Sequence, residues 1–564
     1  MDHLRRLAAF ISRPWGAALV AGLITLVFVL WLPAGEDAAA HLYQTQRWND
    51  WGWQFWDNFW YAGRYSQINY SLLYYPLAAI LGTATVVATS VAAAAGAFSL
   101  IMHRRWPQIA MWPSVAFALL IPLPALNGTY PFLLGLALGL AALVALQAGR
   151  RKTTVALTAL VAVAHLLALL LLVTALIGIA AATPRWWQRH GVRPLAFGLA
   201  AVVGAAGFMW RAFSTPGSDY PFELVDLLVV LTFCAVGVWL ARGRPELRVL
   251  RGVFAVYGFL ALAAFAVSSP IGANIGRLLV YMGVPLLLIP LATREFRPRV
   301  LSVTLLLGAL AWQTFPIVTG VRASTQVQSS AEEYWYPVEA FLAEHGSPDY
   351  RVEVVATDHH WEALYLARRG VPLTRGWYRQ DDFPANQDLY GELTATKYHT
   401  WLRRLGVRYV FLPDDRLDYS AHAEAALLRE SQVLPQVARV GGWSVYEVPN
   451  ATPIATPANV ISVREINSEE VTFDVREAGS YRLRLRYTPY WRVIEGDACV
   501  APREPWATEL RVGAPGTVTL RFDVGVGEVV KAVLGRKADC TGIVTAGAPD
   551  PGRAVREASQ PPRR

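Results

Sequence analysis

The sequence predicts an α-helical polytopic membrane protein of about eleven transmembrane helices, followed by an extracytoplasmic α/β domain and a β-sandwich-like module. Three observations carry that prediction. Long apolar runs fill the chain up to residue 320, basic residues cluster in alternate loops between them, and the remainder switches to mixed helix and strand patterning, then to two-residue alternation. The 564 residues are 54% hydrophobic and only 16% charged, where a soluble domain carries about 25% charge. A disordered chain and an ordinary soluble fold are both excluded. Net charge is +9, and of 51 basic residues only four are Lys. The Arg residues of the first half sit mainly in short loops between apolar runs, unlike the basic patch of a nucleic-acid binder.

A helix needs about 20 apolar residues to cross a hydrocarbon core of about 30 Å. Candidate spans are 15–32, 74–102, 109–126, 130–147, 153–182, 195–210, 223–241, 249–268, 276–293 and 300–320. With the N-terminus cytoplasmic, Arg104, Arg105, Arg150, Arg151 and Lys152 fall inside. A single pass through 153–182 would then put Arg185, Arg189, Arg193, Arg242, Arg244, Arg248, Arg294, Arg297 and Arg299 outside, against the positive-inside rule. A hairpin of two short helices turning near His165 returns them all to the cytoplasm and leaves Arg47, Arg64, Arg211 and Arg277 outside. The count becomes eleven. Each arm, at about 14 residues, reaches only ~20 Å, so the pair must tilt or pack among neighbours. The first run reads as an uncleaved anchor, although Leu32-Pro33-Ala34 resembles a cleavage site.

The chain divides into a membrane domain, 1–323, with an outer loop at 33–73, an α/β domain at 324–449, a β-sandwich-like domain at 450–546 and a disordered tail at 547–564. In the α/β part, 332–344, 362–369 and 421–429 read as helical, and 351–356, 407–412 and 443–448 as extended. Beyond Pro449, alternation marks strands at 471–475, 481–487, 509–512 and 517–522. Cys499 and Cys540 are disulfide candidates outside the cytoplasm, whereas Cys234 lies inert in a span.

The first outer loop holds the richest chemistry. Glu36 and Asp37 stand where the first span leaves the lipid, and a helix restarting at Asp37 would place His41 on the same face. The plainer reading makes Asp37 only a helix cap and makes Trp48, Trp51, Trp53, Phe55, Trp56, Phe59, Trp60 and Tyr61 an interfacial belt on a helix lying flat.

The acidic pair, Asp37-x-x-x-His41-Leu42, the Trp-rich segment, Trp60-Tyr61-Ala62-Gly63 and Tyr74-Tyr75-Pro76-Leu77 together resemble bacterial membrane proteins allied to the GT-C superfamily of glycosyltransferases. That superfamily includes actinobacterial arabinofuranosyl- and mannosyltransferases, and some such proteins are labelled only as membrane proteins with a pterin-synthase-related domain. The match covers residues 15–320. It implies a GT-C-like membrane domain in the plasma membrane, moving a sugar from a polyprenyl-phosphate-linked donor to a cell-envelope glycan or lipid at the outer face. The acidic residue of the first outer loop is the catalytic base in such enzymes, so the role falls on Asp37, with Glu36 as the nearby alternative. A single Glu-Asp pair in place of a longer acidic cluster leaves a divalent metal possible but not required.

A donor in the outer leaflet needs no Gly-rich nucleotide loop, and the sequence has no convincing one. The departing phosphate needs cationic or N–H donors. Arg277, in Gly272-Ala-Asn-Ile-Gly-Arg277, is the first candidate, with Asn274 in support, and Arg64 is the second; snorkelling to the interface is the alternative for each. His41 completes the membrane-side substrate set. Arg375 and Trp377, in Arg375-Gly-Trp-Tyr-Arg-Gln-Asp381, suit an acceptor-binding loop over the membrane site, against a packed turn. Asp358-His359-His360-Trp361 combines types favoured in carbohydrate contact, but adjacent His side chains on a strand or turn point apart and make a poor metal pair. His165, an ionisable group in an apolar run, is a functional candidate, with a hydrogen bond to a neighbouring helix as the favoured, plainer reading. Asp219 and Tyr220 could reach an acceptor sugar, with a solvated turn as the favoured reading. The competing class is a transporter or a non-catalytic envelope-assembly protein. Mid-membrane coupling charges and repeated halves would mark a transporter; neither is evident.

Overall fold

Runs of Ala, Leu, Val and Ile leave the backbone one local way to satisfy its polar groups in lipid, and the first half is helical. The computed structural model describes residues 2–68, 70–183, 193–215, 217–293, 299–430, 433–535 and 540. Its helices there are α1 Asp2–Ile11, α2 Pro14–Trp31, α3 Ala38–Trp51, α4 Tyr74–Leu81, α5 Thr83–Arg105, α6 Met111–Leu120, α7 Tyr130–Gln147, α8 Arg151–Ala164 and α9 Leu166–Ala182. After them come α10 Arg193–Phe213, α11 Leu224–Leu240, α12 Arg248–Ala266, α13 Arg277–Ala292 and α14 Arg299–Ser324. Among the described residues, seven helices are long and apolar enough to cross a membrane, and α6, α9 and α11 are shorter apolar helices. Arg185, Arg189, Arg294 and Arg297, assigned above to cytoplasmic loops, and the tail at 547–564 lie outside the described residues.

Two of the expected spans are broken. Gly82, at φ 83°, separates α4 from α5. His165 separates α8 from α9, and its extended backbone, φ −169° and ψ 120°, interrupts the helical ladder. Gly135 of α7 packs against His165 and Ala168, and Gly139 against Leu172, so α9 runs beside α7 in the same direction. Since α8 starts just after α7 ends and finishes at His165, it runs the opposite way. The segment is a hairpin.

In the soluble half, helix Tyr336–His345 packs on a mixed sheet ordered β3 Arg351–Val354, β4 Val407–Pro413, β6 Trp443–Glu447, β5 Gln436–Val440. The β3–β4 pair is parallel and the others antiparallel. Two antiparallel four-stranded sheets follow, built from β7 Ala455–Thr456 through β14 Gly516–Phe522. Cys499 and Cys540 are joined by a disulfide. Alternation sends Tyr481, Leu483 and Leu485 into this core beside Leu510 of the neighbouring strand, with Phe473 and Leu520 of the second sheet in the same core.

The outer loop departs from the expected flat helix. After α3 ends at Trp51, the chain forms a small antiparallel ladder, β1 Trp56–Asp57 with β2 Arg64–Tyr65. Trp51 and Trp53 stay exposed, but Trp56, Phe59, Trp60 and Tyr61 are buried. Trp56 stacks on Phe522 at 5.4 Å inside the sandwich core, while the Trp60 indole donates to the Ala363 carbonyl at 3.0 Å in the α/β part. Arg47, expected near the interface, is buried beneath the ladder, 3.4 Å from Asp57 and donating to Ser66 at 2.7 Å. Burial of each large aromatic stabilises this junction by about 4–6 kcal/mol of transfer free energy. The loop clamps both soluble modules to the apolar helices.

Candidate functional site

Asp37 occupies the N-cap position of α3, but its backbone is helical and its side chain makes no capping bond. The backbone fixes it instead: its amide donates to the Asn127 carbonyl at 2.8 Å. Gly128, at φ 82°, permits that approach, because a Cβ there would lie 2.5 Å from the Ala38 amide nitrogen. Arg277 is the first residue of α13, after a 3-10 turn at Gly272–Gly276. Gly272, at φ 41°, rests so close to the Tyr220 carbonyl that a Cβ would come within 1.8 Å of its oxygen. These two turns bring Arg277 Nη2 to 3.7 Å from Asp37 Oδ2.

The pair is under-satisfied. Asp37 Oδ2 is buried and has no hydrogen bond. Burial pushes the Asp37 carboxyl up to about 7; Arg277 opposes that rise and Glu36 adds to it. Among the described residues, the Arg277 guanidinium has the Asp37 contact and a cation–π approach to Phe132 at 5.4 Å.

Both groups face a cavity of about 480 Å³ with two unlike walls. One is apolar, from Leu166, Leu170 and Val173 of α9 and Val203, Ala206 and Trp210 of α10; Val203 and Trp210 are exposed on the outer surface of the helices. The other is polar, where Asp37, Arg277, Arg64, Tyr220 and Arg379 converge.

Of the residues singled out from sequence, Glu36, Asp37, Arg64, Asn274, Arg277 and Trp377 all line this cavity. Glu36 is exposed, and its carbonyl accepts the Trp377 indole N–H at 2.7 Å. Arg64 is bound to Asp381 at 2.7 Å and lies 3.9 Å over the Tyr378 ring. His41 does not converge with Asp37: it is buried against Tyr75, whose hydroxyl is 3.2 Å from Nδ1, and burial drives its pKa down to about 3, so the ring is neutral. Arg375 is also turned away, buried in a bidentate pair with Asp382 at 2.7 and 3.2 Å. The loop that carries it reaches the cavity through Trp377, Tyr378, Arg379, Gln380 and Asp381.

Three cavity groups were weighted too lightly from sequence. His165 makes no hydrogen bond to a neighbouring helix; both ring nitrogens lack a partner, and the ring packs edge-on to Tyr70 at 5.2 Å. Tyr220 lines the wall where a solvated turn was expected, whereas Asp219 does not. His360 sits on a left-handed backbone, φ 55°, beside His359 at 69°, a strained arrangement that clusters at functional sites. It faces Asp418 at 3.7 Å, and Arg379 also binds Asp418. Burial would raise that carboxyl, but His360 and Arg379 hold it well below the carboxylate range.

Among the described residues, no group of three or more His, Cys, Asp or Glu side chains could hold a metal ion. A divalent cation at Asp37 would also meet the fixed charge of Arg277. The donor set does not fit a metal at this edge.

No family model and no curated protein matches the chain. Its structure is similar to that of the arabinofuranosyltransferase AftD from Mycobacteria, at 16% identity and a TM-score of 0.44, over 84% of this chain and 41% of that one. It is also similar to the archaeal oligosaccharyltransferase AglB from Archaeoglobus fulgidus, solved with an inhibitory peptide and a dolichol-phosphate, at 12% identity and a TM-score of 0.33, over 71% of this chain and 69% of that one. The chain thus spans about two-fifths of the length of the arabinofuranosyltransferase.

Proposed function

We propose that this protein is a bacterial membrane glycosyltransferase that moves a sugar from a polyprenyl-phosphate-linked donor to a cell-envelope glycan or lipid acceptor at the outer face of the plasma membrane. The chain passes the membrane eleven times, with the N-terminus cytoplasmic and both soluble modules outside. The antiparallel α8–α9 hairpin supports that parity, and a disulfide between Cys499 and Cys540 suits an oxidising outer compartment.

One observation carries the proposal: a buried carboxylate and a guanidinium 3.7 Å apart stand where an apolar groove meets a polar chamber. The groove accepts an isoprenoid chain from the lipid side, and Arg277 receives the phosphate. Asp37 takes the proton of the acceptor hydroxyl as that oxygen bonds to the anomeric carbon. The bond from that carbon to the phosphate oxygen breaks, and the lipid phosphate leaves with the electron pair beside Arg277. A carboxyl with a pKa near 7 is a far stronger base than an exposed Asp, yet is still half ionised at neutral pH. His165, whose two ring nitrogens have no partner, also lines the cavity and can hydrogen-bond a bound ligand. The polar groups gather at one edge, a poor arrangement for a transporter's central pathway.

The test is transfer from a synthetic polyprenyl-phosphate sugar in reconstituted vesicles. Asp37→Asn should fold and bind donor but lose ~10²–10⁴-fold of its transfer rate; undiminished transfer by that variant ends the assignment.

A further inference from the structure

A second cavity, of about 310 Å³, adjoins the first. Asp381 and Thr215 line both, so one carboxylate forms part of the partition between them. That carboxylate is fixed from the first side, by Arg64 Nε at 2.7 Å and Ser218 Oγ at 2.8 Å. The second cavity exists only where the modules meet. The α/β part supplies Asp388 and Arg404, the sandwich supplies Arg486 and Trp506, and the membrane domain supplies Thr215.

Its chemistry is selective. Arg404 binds Asp388 at 2.9 Å, yet its Nε is buried without a partner. The Arg486 Nε donates to the Gly63 carbonyl at 3.0 Å, and no carboxylate among the described residues pairs with that guanidinium. Two guanidiniums balance Asp381 and Asp388, so the lining is close to neutral. An anion would meet two carboxylates, and an apolar ligand would strand the Arg404 Nε–H. A sugar suits both constraints: each hydroxyl donates and accepts, planar guanidinium and carboxylate groups bridge neighbouring hydroxyls, and the half-buried Trp506 offers a ring for the C–H face. The volume falls within the ~300–1,000 Å³ of ligand pockets.

We infer that this junction cavity is a neutral-saccharide subsite, holding the glycan portion of the acceptor or product on the far side of Asp381 from the reaction centre. Its place along an acceptor path rests on the function proposed above, but its affinity for sugar does not.

The experiment uses the full chain in lipid nanodiscs, titrated calorimetrically with short α-linked oligoarabinofuranosides and oligomannosides. Wild-type protein should bind members of one series saturably, and inorganic phosphate should not displace them. Trp506→Ala removes the ring, and Ala385→Trp fills the cavity without deleting a polar contact. Each should weaken binding about tenfold or more, or 1.4 kcal/mol, in protein that stays folded; Ala385→Trp is the sharper variant because Trp506 also packs against the α/β core. Asp37→Asn should bind as wild type does, which separates this inference from the catalytic one. No saturable binding by wild type, displacement by phosphate, or full affinity in a folded Ala385→Trp protein would each overturn it.

Discussion

Two Arg–Asp pairs where the apolar helices meet the soluble modules, Arg47–Asp57 and Arg277–Asp37, are used oppositely. Arg47 is buried and donates to Gln44, Ser66, Ser468 and the Trp56 carbonyl, while Asp57 accepts from the Tyr43 hydroxyl and the Phe59 amide. Its charge is consumed by structure. Both pairs leave the facing carboxylate oxygen without a hydrogen bond, but Arg277 has, among the described residues, only its carboxylate partner at 3.7 Å and the Phe132 ring. Burying charge without full pairing costs stability, so such a site is a place where a ligand supplies what the fold withholds.

The comparison breaks most sharply at Asp37. Loss of a general base costs ~10²–10⁴-fold in rate, so Asp37→Asn should lose that much transfer in the vesicle assay with its melting temperature kept. Arg277→Gln should lower kcat by ~10²–10³-fold, the scale for removing one donor to developing negative charge, again without unfolding. Arg47→Gln should do the reverse. Removing one partner of a buried pair costs about 3–5 kcal/mol, read as a large fall in melting temperature; a fall in kcat alone would show that the two pairs are not distinct in kind.

The pH profile sharpens the contrast further. Only ionised Asp37 accepts a proton, so activity should rise as pH increases through about 7. Arg277 favours the ionised form, so its removal should move this limb to higher pH. Glu36 raises the carboxyl, so Glu36→Gln should move it lower, by a fraction of a unit because that side chain is exposed. An unmoved limb in both variants would assign it to another group.

How much of this was legible depends on range. The apolar runs and the strand alternation of Tyr481 to Tyr487 are local patterns, and the helices and strands follow them; the break at His165 was legible only through the distribution of Arg over several loops. Asp37 and Arg277 could be associated because both stand at span ends that the Arg distribution assigns to one side. Burial by distant partners could not be read. Trp56 and Trp60 have the composition of an interfacial belt, yet Phe522 and Ala363, far along the chain, bury them. Arg375 and Arg379 stand four apart in one loop, and only their partners, Asp382 and Asp418, decide which faces the cavity. His165 was assigned a hydrogen bond because most such residues have one; its lack of a partner emerges only when Tyr70 and Phe132 are seen to surround it with rings.

The exposed wall formed by α9 and α10 has a kinetic consequence. A molecule arriving along that wall never dissolves in water, so its relevant concentration is its mole fraction in the bilayer. Diluting it with inert phospholipid at constant molarity slows its capture, and surfactant tails occupying the same wall act as competitors.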